Sequence, residues 1–284
     1  MSPIEFVDIH WRGRKVRIEH QWLNADLKDR PLVVFLHEGL GSVAMWKNFP
    51  QALCDAAHVR GLVFSRPGYG RSTPRVSSEC WEASFMHDQA YDVLPALLEA
   101  LAVRENIWLL GHSDGGSIAL LFAARFPDRV NGLIVMAPHL MVEEYGLSSI
   151  RAARAAYVTT DLKEKLRRYH DDVDSAFRGW NDIWLDPSFR SWTIEHELAS
   201  ITCPILAVQG LEDEYGTLAH IHGIARRLSQ TQLLEIPNCG HSPHRDQPIA
   251  LTNAISDFMR RTSRTATTAA DFPHQPLKLL ETFS

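Results

Sequence analysis

The chain has 284 residues, 45% hydrophobic and 22% charged, an ordinary globular balance with enough material for one large core and an inserted module. Its formal net charge of −5 leaves no basic excess for a phosphate backbone, so nucleic acid is not an expected partner, and no run reaches the ~18 apolar residues of a membrane helix. Four singly spaced cysteines (Cys54, Cys80, Cys203, Cys239) and an N-terminus carrying Glu5 and Asp8 instead of an apolar leader predict reduced thiols in a cytoplasmic, non-secreted protein with no membrane partner.

In chain order, Ile4 to Trp11 and Lys15 to Leu23 flank Arg12-Gly13-Arg14 and predict an antiparallel hairpin. Leu32-Val33-Val34-Phe35-Leu36 then opens a series of continuous apolar runs of the kind buried on both faces of a parallel sheet. Gly61 to Phe64, Ile107 to Leu110, Leu133 to Met136 and Ile205 to Val208 repeat that character, and Leu233 to Ile236 closes the set. Helical spacing is clearest over Phe85 to Ala102 and Gly216 to Leu228. The alternation predicts an α/β fold, a mostly parallel eight-stranded sheet with helices on both faces.

One stretch breaks the pattern. From Leu140 to Ala199, about sixty residues hold no strand candidate, too many for a plain connection. They predict an inserted helical lid, with helices over Val142 to Thr160 and Leu162 to Phe177. Its aromatic group Trp180, Trp184, Phe189 and Trp192 either forms a small core for the module or lines a pocket, and both roles can hold for different rings. The expected division is therefore a core of residues 1–139 and 200–263, a lid of 140–199, and a flexible tail of 264–284 that starts in a run of small and polar residues.

The chemistry centres on Gly111-His112-Ser113-Asp114-Gly115, a G-x-S-x-G sequence placed directly after the strand candidate Ile107 to Leu110. A serine hydroxyl is a weak nucleophile until it is lifted out on a strained turn beside a base and amide donors, and small residues permit such a turn. Gly210-Leu211-Glu212-Asp213 follows a later strand, and Cys239-Gly240-His241 follows the last. The order Ser113, Asp213, His241 supplies nucleophile, acid and base, the acid fixing the imidazole tautomer. The turn His37-Glu38-Gly39-Leu40-Gly41-Ser42 after the first buried strand would offer one amide to a developing oxyanion, and the residue after the nucleophile, Asp114, a second.

From Ile4 to Arg260 the chain resembles the lid-bearing serine hydrolases of the α/β-hydrolase superfamily. His37 to Ser42 is similar to that family's H-G-x-G turn, Ser65-Arg66-Pro67-Gly68-Tyr69-Gly70-Arg71-Ser72 to its D-x-x-G-x-G-x-S turn, and Gly240-His241-Ser242-Pro243-His244 with Gln247-Pro248 to its histidine segment. The resemblance implies Ser113 as nucleophile, Asp213 as acid, His241 as base, and the amides of Gly39 and Asp114 as the oxyanion hole. Two positions depart from it. Glu38 stands where the family usually has glycine, with a hydrogen bond to a loop amide favoured over the steering of cationic substrates. Ser65 stands where the family usually has aspartate.

Serine in the elbow speaks against the dehalogenases and epoxide hydrolases, which attack through aspartate. His112 and Ser242 replace the asparagine and tryptophan usual in C–C hydrolases of ring-fission products, and the turn lacks the H-G-G-P-G of proline-type aminopeptidases. The expectation is a serine carboxylesterase needing neither cofactor nor metal, acting as monomer or homodimer on a small, apolar or aromatic ester. The alternatives are a C–C hydrolase and, in a different class, a non-catalytic small-molecule binder. Glu38, His139, Trp180, Trp184 and Tyr215 are the candidates for the pocket. His220 and His222, at i, i+2 on a helix, point to different faces and do not make a metal pair. His170-Asp171-Asp172-Val173-Asp174 reads as a solvated helix face, and His244, which lacks the glycine that precedes His241, ranks below it as the base.

Overall fold

A computed structural model describes residues 2–76 and 78–270, with side chains as far as Thr262. Its strands are β1 (Glu5–Trp11), β2 (Arg14–Leu23), β3 (Leu32–Leu36), β4 (Arg60–Phe64), β5 (Ile107–His112), β6 (Val130–Met136), β7 (Ile205–Gly210) and β8 (Thr231–Ile236). They form one sheet in the order β1-β2-β4-β3-β5-β6-β7-β8. β2 pairs antiparallel with β1 and with β4, and every other pairing is parallel. The hairpin turns at Arg12 and Gly13, both at positive φ (48° and 71°).

The helices follow as α1 (Phe49–Ala57), α2 (Phe85–Asp88), α3 (Leu94–Ala100), α4 (Asp114–Arg125), α5 (Glu144–Thr159), α6 (Leu162–Leu166), α7 (Val173–Trp184), α8 (Ala219–Arg227), α9 (Pro243–Asp246) and α10 (Pro248–Ala270). A π-helical turn, Gln89–Val93, joins α2 to α3. Pro95 accounts for it, having no N–H for the carbonyl four residues back and a ring that crowds it.

The two-residue period of the strands sorts the apolar runs into two cores. Leu32, Val34 and Leu36 of β3 point with Ile107 and Leu109 of β5 toward α3 and α4, while Val33, Phe35, Trp108 and Leu110 point toward α1 and α10. Continuous hydrophobicity is thus the signature of strands covered on both faces. No helix among the described residues is long and apolar enough to cross a membrane.

Between β6 and β7 the chain carries α5, α6 and α7. The base of this segment is pinned where Met141 bridges Thr193 and the Ile194 amide donates to the Leu140 carbonyl at 2.8 Å. The helix expected over Leu162 to Phe177 is broken in two. Asp172 caps α7 by accepting from the Ser175 amide (2.8 Å), His170 is buried with its Nδ1 accepting from the Gly70 amide (2.9 Å), and the Asp171 amide donates to the Gly70 carbonyl. His170 is therefore a joint onto the β4 loop, while Asp171 and Asp172 remain exposed as a solvated face would have them; burial pushes the His170 imidazole down to about 4.

The start of the expected flexible tail is also different. Residues 264–270 continue α10, since no glycine or proline interrupts the sequence between Pro248 and Pro273 and alanine propagates a helix well. Positions 271–284 lie outside the described residues.

Candidate active site

Strand β5 passes into α4 through a single residue. Ser113 has φ 54° and ψ −121°, outside the wells open to a residue with a Cβ. Neighbouring contacts hold it there: its amide donates to the Met136 carbonyl (2.9 Å), and its carbonyl accepts from Gly116 and Ser117 (2.8 and 3.1 Å). Glycine is needed on both sides, because a Cβ on Gly111 would run into the backbone of Gly115, and a Cβ on Gly115 into the Leu36 carbonyl. The serine opens on a cavity of about 290 Å³ whose walls include Glu38, Gly39, Asp114, His139, Trp180, Trp184, Tyr215 and His241.

Asp213 and His241 come from the loops after β7 and β8. His241 Nδ1 lies 2.8 Å from Asp213 Oδ1, which also accepts from the Tyr215 and Gly216 amides (2.8 and 3.2 Å); Oδ2 accepts from Gln209 at 3.2 Å. Burial pushes the Asp213 carboxyl up, but His241 and the two amides outweigh it and hold the group below its ordinary value. His244 is buried against Trp46 (5.0 Å) and Phe49 with no hydrogen-bond partner among the described residues. Burial takes its imidazole down to about 3.

The turn after β3 is held by its carbonyls. The Glu38 carbonyl accepts from Arg66 (2.8 Å) and the Gly41 amide (3.1 Å), and His37 Nε2 accepts from the Arg66 amide (3.0 Å). The amides of Gly39 and Asp114 have no protein acceptor among the described residues. Among the described residues no loop amide donates to the Glu38 carboxylate, contrary to expectation. His112 Nδ1 and the Arg245 guanidinium stand beside it instead, each at 3.5 Å. Partial burial raises the Glu38 pKa, but His112, His244 and Arg245 together hold it well below the usual carboxylate range.

Ser65, at the position where the resembled family usually has aspartate, has a carboxylate supplied from elsewhere. Glu19 on β2 accepts from Ser65 Oγ at 2.7 Å and from the Arg71 amide at 3.0 Å, while Ser65 Oγ accepts from the Val43 amide at 2.9 Å. Sequence reading misses Glu19 because only the β2–β4 register brings the two together.

Asp114 is fully buried. Its Oδ1 accepts from Trp184 Nε1 at 3.1 Å, and Oδ2 lies 3.8 Å from Arg66, itself buried and stacked over Tyr69. Burial raises its pKa against the pull of Arg66 and Trp184. Imidazoles fill much of the remaining wall. His112 Nε2 donates to the His241 carbonyl at 2.7 Å, so the residue before the serine braces the histidine opposite it. His139, following β6, has Nε2 at 3.3 Å from Ser113 Oγ. Behind it His220 is buried 2.8 Å from Glu143, whereas His222 is on the surface with Glu235.

The aromatic rings divide. Trp180 and Trp184 line the cavity with Phe177, and the Tyr215 ring lies 4.8 Å from that of His241. Phe189 and Trp192 stack on each other (5.1 Å), and Phe189 packs on Phe85. Chemically the site offers a hydroxyl on a strained turn, two imidazoles near it, one of them tied to a carboxylate, and free amides at the mouth of β3 and α4.

The model of a family described as alpha/beta hydrolase matches residues 33–255. A 2-hydroxy-6-oxo-6-phenylhexa-2,4-dienoate hydrolase of Burkholderia cepacia is 23% identical over 254 residues, covering 80% of this chain and 87% of that protein. An sn-1-specific diacylglycerol lipase of Mus musculus is 27% identical over 278 residues, covering 83% and 87%. A thermophilic esterase from Thermogutta terrifontis has a similar structure, with TM-score 0.69 at 22% identity, covering 92% of this chain and 99% of that one.

Proposed function

Because the chain belongs to the alpha/beta hydrolase family, we propose that it is a cofactor-independent serine hydrolase cleaving a carboxylic ester of a small, apolar or aromatic substrate. Ser113 Oγ attacks the ester carbonyl while His241 takes its proton. Asp213 keeps the histidine in the tautomer that leaves Nε2 free and stabilises the imidazolium as it forms. The amides of Gly39 and Asp114 receive the oxyanion, a contribution of roughly 10²–10³ in rate per donor. His241 then protonates the leaving alkoxide, and a water that gives its proton to the same histidine releases the acid.

The observation that carries this reading is the 2.8 Å His241–Asp213 pair on the same cavity as a serine with φ 54°. Trp180, Trp184, Phe177, Ile150 and Leu162 give the cavity an apolar wall, which supports an apolar acyl or alcohol group and a lid role for residues 140–199. Arg245 beside Glu38 compensates its charge, which speaks against steering of cations. The test is turnover of short-chain p-nitrophenyl esters, with mass-spectrometric detection of a phosphonate adduct. Turnover that survives Ser113→Ala, or an adduct elsewhere, refutes the assignment.

The likeness to a ring-fission product hydrolase keeps C–C cleavage as the second reading. Faster turnover of a dienol ring-fission product than of aryl and alkyl esters would replace the first reading with it.

A further inference from the structure

Ser113 Oγ is in reach of His139 Nε2 at 3.3 Å, and no hydrogen bond joins it to His241 among the described residues. Four contacts fix the His139 ring and backbone. Its amide donates to Ser117 Oγ (2.9 Å) and its carbonyl accepts from the same hydroxyl (2.7 Å), while the ring packs edge-on against Trp184 (4.8 Å) and His220 (5.2 Å).

His139 is poorly equipped to act as a base. His220 Nδ1 accepts from the Leu140 amide at 3.1 Å, so the His220 proton sits on Nε2, facing Glu143 at 2.8 Å. Glu143 also accepts from the amide and hydroxyl of Thr217 (2.9 and 2.7 Å), so the nearby carboxylate is committed to other donors. No carboxylate among the described residues hydrogen-bonds the His139 ring. Burial, with His220, His241 and His112 around it, pushes its imidazole well below the ordinary histidine range. A neutral ring of this kind accepts a hydrogen bond but does not carry the proton away.

On the assignment of Ser113 as nucleophile, we propose that His139 is a positioning residue that accepts the Ser113 hydroxyl in the resting enzyme and holds Oγ away from His241. Acylation then begins with rotation of the hydroxyl from His139 to His241. The proton passes from Oγ to His241 Nε2 as the new C–O bond forms, and His139 is neutral before and after.

The test is the rate of Ser113 phosphonylation by a small p-nitrophenyl phosphonate, in wild type, His139→Leu and His139→Gln. Leucine removes the acceptor, and the rate is expected to rise about fivefold, the equivalent of one ordinary net hydrogen bond. Glutamine restores an acceptor and returns the rate toward wild type. An unchanged or slower His139→Leu enzyme overturns the proposal. A measurement needing no change at 139 guards against misfolding: the ¹⁵N resonance of His139 Nε2 should move on Ser113→Ala while those of His244 stay, and an unmoved resonance also overturns it. A wild-type protein that takes no label at Ser113 defeats the nucleophile assignment itself, an outcome visible before any His139 variant is made.

Discussion

Replacing Ser113 with glycine is expected to make the protein more stable as it abolishes turnover. The residue sits at φ 54°, ψ −121°, and holding a Cβ there costs on the order of 1–3 kcal/mol. Glycine removes that strain but adds about 0.5–1 kcal/mol of unfolded-state entropy. Among the described residues the hydroxyl makes one long hydrogen-bond contact, 3.3 Å to His139, so its loss has to be separated out by a control. Ser113→Ala is that control, since it loses the hydroxyl and keeps the strain. The glycine variant should exceed the alanine variant by about 1–2 kcal/mol, or roughly 2–3 °C in Tm for a chain of this size. Urea unfolding of both variants, followed by circular dichroism and tryptophan fluorescence, gives the difference provided the two probes coincide. An alanine variant as stable as the glycine variant would show that the elbow stores no strain, and the reasoning would fail.

Asp213→Asn should leave the fold intact and lower kcat by roughly 10⁴, the cost of the wrong histidine tautomer; kcat within tenfold of wild type by ester assay would remove Asp213 from the mechanism. Glu143 is raised by burial but lowered further by His220 and Thr217, from an ordinary 4.5 to about 2. A depressed folded-state pKa gives stability that is complete above the unfolded value and is lost as pH falls toward the folded one. Urea midpoints should therefore fall from about pH 5 to pH 2 in wild type and less steeply in Glu143→Gln; parallel curves would contradict this. Ser65→Asp sets a second carboxylate beside Glu19, and Glu19→Ala strands Ser65 Oγ and the Arg71 amide, so each should cost about 1–3 kcal/mol. The double variant should recover most of that loss, and strict additivity of the two changes in a denaturation cycle would show that the carboxylate is not shared.

What was legible in the sequence was whatever follows directly from strand ends. Ser113, Asp213 and His241 each sit just past an apolar run, and the chain order of runs was enough to bring them to one edge of the sheet. Contacts set by lateral register were not legible. Glu19 reaches Ser65 only because β2 pairs antiparallel with β4, and His139, legible as a pocket residue from its strand end, touches the serine itself only because β6 lies beside β5. His170 departs from the solvated reading that its exposed neighbours Asp171 and Asp172 keep, since periodicity records which residues are polar, not that an imidazole can be buried on a backbone amide. The end of α10 was missed for a related reason: an alanine and threonine run has no amphipathic period, yet helix propagation does not require one.

The shared carboxylate makes the N-terminal hairpin an organ of the distant loop. Glu19 and Ser65 stand 46 positions apart and belong to different supersecondary units. A chimera that takes its first two strands from a relative with aspartate in the loop and no acid at the Glu19 position would inherit neither acid and leave the Arg71 amide stranded. The reverse graft would bring two acids into one buried spot. Recombination is therefore clean only where both positions travel together, which sets the shortest exchangeable block at the whole span from β2 through the β4 loop.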